Sequence, residues 1–175
     1  MNQFKKIWTI GHSTHTAEKF IAMLKSFQIE VVADIRSFPG SRRYPHFNKE
    51  YLSNFLPQHG TEYIHFPGLG GRRKPRDDSK NNGWRLASFK GYADYMETKS
   101  FEAAISELQN LARIKRVAFM CSEAVWWRCH RSLVSDFLKF NGWAVFHIMD
   151  TAKAEEHPYT SPARIVNNQL CYSLD

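Results

Sequence analysis

Apolar residues recur along this chain with two alternating periods. Lys6 to Ile10 is a short β-branched and aromatic run closed by Gly11, which predicts a first strand. Thr16 to Phe27 then places Phe20, Met23, Leu24 and Phe27 at helical spacing, with Thr16 positioned as the N-cap. Val31 to Ile35 reads as a buried strand, and Arg36 to Phe47 as a loop, because Pro39, Gly40 and Pro45 break any periodicity. Asn48 can cap a helix carrying Tyr51, Leu52, Phe55 and Leu56, which His59 and Gly60 end; Glu62 to Phe66 alternates like a third strand. Pro67 to Lys90 is rich in Gly, Pro, Asp and Asn and predicts a long loop, a kind usually functional or mobile. Tyr92 to Met96 and Ser100 to Arg113 read as one short and one full helix, and Arg116 to Met120 as a fourth, most buried strand. Arg128 to Phe140 is helical and ends at Gly142; Trp143 to Ile148 makes a fifth strand and Leu170 to Leu174 a sixth at an edge. No internal repeat is visible.

Strands that alternate with helices imply crossover connections and a parallel sheet covered on both faces. The pattern therefore predicts a three-layer α/β fold, with a mostly parallel sheet of about five to six strands and helices on both faces. It is read as a single domain over residues 1–175, with long loops at 36–48 and 67–90. Ligands in such sheets bind beyond the carboxyl ends of the strands. Gly11-His12-Ser13, Asp34-Ile35-Arg36, Pro67 to Gly71 and Cys121-Ser122-Glu123 each follow a strand, so four polar clusters are expected on that edge.

Composition narrows the class without changing this picture. With 175 residues, 43% hydrophobic and 23% charged, the chain is long enough for a sizeable core and unlike disordered sequences. No apolar run approaches the roughly 18–20 residues of a membrane span, and the apolar stretch after Lys5 and Lys6 is too short for a signal-peptide core. Three cysteines, Cys121, Cys129 and Cys171, form an odd and sparse set. Reduced thiols and a cytoplasmic location are expected.

Charge adds more, because it is localised. Arg36 to Lys90 holds eleven basic and four acidic residues, so the whole +7 excess lies in the segment with the two long loops. Such a surface suits phosphates, and a phosphate-containing ligand, DNA and RNA among the candidates, is the expected partner. A solvated basic face is the plainer alternative. In the first loop Arg36, Arg42 and Arg43 interleave with Phe38, Tyr44 and Phe47, a composition fit for phosphates beside stacked bases, with Ser41 a further candidate for binding the ligand. In the second, Gly68 to Gly71 runs into Arg72, Arg73, Lys74 and Arg76, without the ending of a P-loop or the spacing of a dinucleotide fingerprint.

The densest chemistry is Cys121 to Arg131, which packs two thiols, a carboxylate, an imidazole and two guanidiniums into one junction between a strand and a helix. Cys121 is a candidate nucleophile, since a thiol at a strand end near a helix start can lose its proton readily. The Cys-x5-Arg spacing of cysteine phosphatases is absent, because Arg128 comes after six residues. Two cysteines that simply pack in the core or under the loop are the plainer and favoured reading. Zinc held by Cys121, Cys129, His130 and His12 is a weaker one, given the unusual spacing; otherwise no cofactor or metal is expected. Glu123, His130 and Asp34 are the candidate acid and base groups. Asp34 and Arg36 share a face of the strand end and could equally form a structural ion pair. His12 and Ser13 follow Gly11 where backbone N–H groups would favour an anion, unless His12 only caps the loop.

Taken in order, Thr9-Ile-Gly-His-Ser13, Asp34-Ile-Arg36 with Pro39 and Ser41, Leu69-Gly-Gly71, Met120-Cys-Ser-Glu123 and Cys129-His-Arg131 resemble the signature of the domain-of-unknown-function 488 family. The resemblance implies that His12, Asp34, Arg36, Glu123, Cys129, His130 and Arg131 are functional positions, and it carries the DNA-repair association of some members. Ser122 departs from the alanine found in many of them. Three readings follow: an enzyme on a nucleic acid or nucleotide working by acid and base chemistry, a non-catalytic nucleic-acid-binding module, and a thiol or zinc enzyme on a small anionic metabolite.

Overall fold

The computed structural model describes residues 5–175. In chain order it forms β1 (Lys6–Gly11), α1 (Ala17–Ser26), β2 (Val31–Asp34), α2 (Lys49–Gln58), β3 (Glu62–His65), α3 (Ala87–Tyr95), α4 (Lys99–Ile114), β4 (Val117–Cys121), α5 (Arg131–Phe140) and β5 (Ala144–Asp150), then three short strands. These are β6 (Lys153–Glu156), β7 (Arg164–Val166) and β8 (Gln169–Cys171). The main sheet runs β3-β2-β4-β1-β5-β6, with the first five strands parallel and β6 antiparallel to β5. The fold is thus the expected three-layer α/β arrangement with a mostly parallel sheet.

The central strands are apolar at nearly every position because both faces are covered. Alternate residues sort them. Trp8, Ile10, Val32, Ala118 and Met120 face Phe20, Met23 and Leu24 of α1 and Leu52 and Leu56 of α2. Ile7, Val31, Ala33, Val117 and Phe119 face Tyr92 of α3, Phe101, Ile105 and Leu108 of α4, and Leu133, Val134 and Leu138 of α5. Each of these fully buried large side chains contributes about 1.5–3 kcal/mol. Thr16 caps α1 as its spacing predicts, its hydroxyl accepting the Lys19 N–H at 3.1 Å.

Neighbouring strands β1 and β4 send their chains to opposite faces, β1 into α1 and β4 towards α5, which opens a crevice between their carboxyl ends. The period of two then decides which side chain goes where. Asp34, Arg36 and His12 follow the α1/α2 face, whereas Cys121 follows Phe119 onto the α5 face.

Three expectations need correction. The sixth strand of the sheet is β6, not Leu170 to Leu174; β8 pairs only with β7, in a separate hairpin. Lys153–Glu156 is mostly exposed and lacks an apolar alternation, and its turn uses Ala152 at φ 55°, so neither signal marked it. Secondly, α3 starts at Ala87 rather than Tyr92. Gly91 obscures that helix in sequence, yet a Cβ there would lie 2.1 Å from the Arg73 carbonyl oxygen, because the preceding loop crosses it. Thirdly, α5 starts at Arg131, and Trp126–Arg128 forms a separate 3-10 turn.

Candidate functional site

A cavity of about 620 Å3 lies at the carboxyl ends of β1, β2 and β4. Its walls come from the loops after these three strands, from Gly71 and Arg72, and from Ser88, Phe89 and Tyr92 of α3. The loops after β1 and β4 are joined beyond the strands, with the His12 and Ser13 N–H groups donating to the carbonyls of Cys121 (3.0 Å) and Ser122 (2.9 Å). Gly11 is required by this closeness. A Cβ on it would sit 1.7 Å from the Glu123 carbonyl oxygen.

One wall is a rigid guanidinium. Asp34 is fully buried and grips Arg36 with both oxygens, at 2.9 Å to Nε and 2.8 Å to Nη2, while also accepting the Arg36 backbone N–H and the Tyr63 hydroxyl. Arg36 donates further to the Phe47 carbonyl and, from Nη1, to His12 Nε2 at 3.2 Å. Four of its five N–H donors are spent on the fold, which leaves one Nη1–H. His12 donates from Nδ1 to the Ser13 carbonyl and stacks on Phe47, with ring centroids 4.3 Å apart. Burial is the main reason its pKa falls to about 4, so it is a neutral imidazole that orients Arg36. Burial, reinforced by the Asp34 charge, likewise raises the Tyr63 hydroxyl well above its ordinary range.

The opposite wall carries the thiols. Cys121 Sγ and Cys129 Sγ lie 2.7 Å apart, both as free thiols. Burial alone would raise the Cys121 thiol, but the Cys129 hydrogen bond and the Arg131 charge outweigh it and lower its pKa from 9.0 to about 7. Burial, then the contact with Cys121, pushes Cys129 well above its ordinary value. Of the two, Cys121 is thus the thiol that gives up its proton more readily. Arg131 is 1% exposed and has no carboxylate partner among the described residues. Its Nη2 reaches the carbonyls of Glu123 (3.2 Å) and Ala124 (3.4 Å), while Nε and Nη1 have no hydrogen-bond partner. A buried unpaired cation is costly, and a thiolate beside it offsets that cost.

His130 immediately precedes α5 and lines the cavity; its Nε2–H donates to the Ile35 carbonyl at 2.8 Å. Burial chiefly lowers its pKa to about 4, leaving Nδ1 as a free acceptor close to Gly71, where a Cβ would lie 3.0 Å away. Glu123 is exposed on the same rim as Arg128 and Arg72, and Arg72 lies over the Phe38 ring at 5.4 Å.

Among the residues expected from the sequence, the cavity brings together His12, Ser13, Arg36, Ser41, Arg72, Cys121, Glu123, Cys129 and His130. The other five lie elsewhere. Asp34 stands behind Arg36, and Arg131 beneath the 122–124 loop. Arg73 stacks on Tyr95 at 3.7 Å and donates to the Gly70 carbonyl. Arg42 and Arg43 are exposed, Arg43 beside Tyr44 at 5.5 Å. Cys121, Cys129, His130 and His12 do not gather as a ligand set, and among the described residues no three potential metal ligands do. Sequence reasoning missed Tyr63, whose phenol braces Asp34, and Arg128 and Tyr92 as cavity walls. Tyr63 sits directly across from Val32, so strand register could have suggested it.

A family model described as domain of unknown function DUF488 matches residues 16–138. The chain belongs to the DUF488 family. The matched span of this DUF488 protein contains the Asp34–Arg36 pair, Gly68 to Gly71 and the Cys121 to Arg131 segment, whereas Gly11 and His12 lie just ahead of it. No curated protein and no solved structure matches the chain. No helix among the described residues is long and apolar enough to cross a membrane.

Proposed function

We propose that the cavity is the active site of a cysteine-dependent hydrolase acting on a small phosphate-bearing ligand of nucleotide size. The observation that carries this reading is the Cys121 thiol, set in the cavity wall and held in its reactive form by Cys129 and Arg131. A thiolate there offsets the buried Arg131 charge and at the same time stands where a ligand in the cavity would meet it.

The rest of the cavity supports the ligand class. Arg36, Arg72 and Arg128 outnumber Glu123 along its walls, and Phe38 stands 71% exposed at the mouth with Arg72 above it. An aromatic face beside guanidiniums suits a base next to phosphates, and about 620 Å3 falls within the range of small-molecule sites. In this reading Arg36 binds the anion through its remaining Nη1–H, Cys121 attacks the electrophilic centre, the leaving group takes its proton from solvent, and His130 Nδ1 and the Glu123 carboxylate accept the proton of the water that releases the product. Asp34 and His12 hold Arg36. A concave pocket is favoured over a simple nucleic-acid-binding stripe, because Arg73 and Arg76 spend their charge on Tyr95, Asp78 and Glu97.

Iodoacetamide labelling of Cys121, followed by mass spectrometry in the presence of AMP, ATP or inorganic phosphate, tests the reading. Nucleotide should slow the labelling several-fold, and Arg36→Lys should abolish that protection while Cys121 stays reactive. Labelling unaffected by any of the three would overturn the ligand class. A hydrolase screen then separates chemistries: activity that survives Cys121→Ser but is lost in Glu123→Gln would replace the thiol with water activated by the carboxylate.

A further inference from the structure

Cys121 belongs to β4 and Cys129 to the residues just before α5, yet strand register and the 3-10 turn at Trp126–Arg128 fold the intervening segment so that the two sulfurs face each other. Their separation is 2.7 Å, and both line the same solvent-connected cavity. A disulfide bond is about 2.05 Å long, so the two sulfurs already stand within about 0.7 Å of bonding distance, far closer than two sulfurs that merely pack side by side. Cys171 lies in the β7–β8 hairpin and takes no part.

We propose that Cys121 and Cys129 are a peroxide-responsive dithiol, a modification site in which Cys121 is oxidised first and Cys129 resolves it to an intramolecular disulfide. In the first step the Cys121 thiolate attacks the distal oxygen of a hydroperoxide. The O–O bond breaks, Cys121 becomes a sulfenic acid, and the alkoxide or hydroxide leaves and takes a proton. In the second step the Cys129 sulfur attacks the Cys121 sulfur, the S–O bond breaks, and water departs with the Cys129 proton. The hydroperoxide is reduced by two electrons and the two thiols are oxidised by two. Two equivalents of a small thiol reverse the change through a mixed disulfide.

Three features of the wall serve this chemistry. Arg131, buried with two unpartnered N–H groups, stabilises negative charge on the sulfur that attacks. Cys129 keeps its proton until Cys121 is oxidised, which orders the two steps. Finally, the 122–124 loop is fixed over Gly11 and by its hydrogen bond to Ser13, so the resolving sulfur does not have to be found by loop motion. This inference does not depend on the ligand class argued above, since it concerns the protein's own sulfurs.

The test uses the intact chain. Reduced protein is treated with hydrogen peroxide at low molar excess, alkylated, and digested with trypsin, which cuts after Arg116, Arg128 and Arg131. Expected is a cross-linked pair joining the peptide 117–128 to Cys129-His130-Arg131, complete before Cys171 reacts and fully reversed by dithiothreitol. Cys129→Ser should instead accumulate a Cys121 sulfenic acid that a 1,3-diketone probe captures, whereas Cys121→Ser should leave Cys129 unmodified. Circular dichroism of both variants confirms that they are folded, and the wild-type cross-link stands as evidence without them. Equal oxidation of all three cysteines, a bridge through Cys171, or Cys121 that remains a thiol would overturn the inference. Nucleotide protection in the reduced protein is a separate readout, so either conclusion can fail alone.

Discussion

Cys121 depends on two neighbours, and each leaves a measurable trace. Because its folded pKa is lowered to about 7, its rate of alkylation should rise through a midpoint near that pH rather than near the ordinary 9.0. Cys129→Ala removes the S–H donor and should move the midpoint upward, which a pH series of iodoacetamide labelling measures directly. Asp34 is a different kind of dependence. Its two oxygens take four hydrogen bonds, and Asp34→Asn would leave the Arg36 guanidinium buried without its counter-charge. A loss of about 3–5 kcal/mol is expected in urea unfolding. Tyr63→Phe removes a single bond to that carboxylate and should cost about 2 kcal/mol, with the thiol chemistry unchanged.

At the scale of elements, loops here are held by specific crossings. The loop after β4 passes so close to β1 that Gly11→Ala must displace the 123–124 backbone, and a loss of about 1–3 kcal/mol in thermal unfolding is expected. The long basic loop is anchored by Asp94 of α3, which accepts the Arg76 N–H, the Ser79 hydroxyl and the Asn81 amide at 2.8, 2.6 and 2.7 Å. Burial alone would raise the Asp94 carboxyl, but these bonds prevail and lower it. Asp94→Ala should therefore release residues 76–81 and make trypsin cleavage after Arg76 and Lys80 several-fold faster, with the sheet intact by circular dichroism. Composition marked this segment as a loop, yet nothing in its sequence revealed that Asp94, with Glu97 beside it, holds it to the following helix.

Across the whole molecule, buried imidazoles set the response to acid. His12 and His130 titrate near 4 and His147 near 2, mainly because burial disfavours their charged forms. His147 also lies in a chain of hydrogen bonds that runs from the Thr9 hydroxyl through His147 and His157 to Asp136, with Trp126 stacked on it at 4.7 Å. Unfolded histidine has a pKa of 6.5, so as pH falls below that value the unfolded chain binds protons that the folded one refuses. Stability is thus fully present above about pH 6.5 and declines steadily towards 4. Each of the three should cost about 2 kcal/mol by pH 5, and urea midpoints measured between pH 7 and 5 check the slope. His147→Asn should flatten it in part.

Hydrophobic periodicity was enough to determine the α/β class, the five parallel strands and the carboxyl edge where Gly11, Asp34, Gly71 and Cys121 meet. Those features are local: a strand buried on both faces must be apolar at nearly every position, and the polar residue that ends it marks the edge. Periodicity also implied that Asp34 and Arg36 share a face. Only the tertiary structure decided what that face meets, since Tyr63, Phe47 and His12 come from three other segments. The same holds for the cations. Local charge density marked Arg72, Arg73 and Arg76 alike, but packing turned Arg73 onto Tyr95 and Arg76 towards Glu97 and left Arg72 at the cavity. Cys121 and Cys129 were legible as reactive residue types, whereas their hydrogen bond and the buried Arg131 beside them depend on strand parity, a 3-10 turn and the start of α5 acting together. Sequence specifies which groups stand at the ends of elements; their charges and contacts emerge only when distant elements desolvate them jointly.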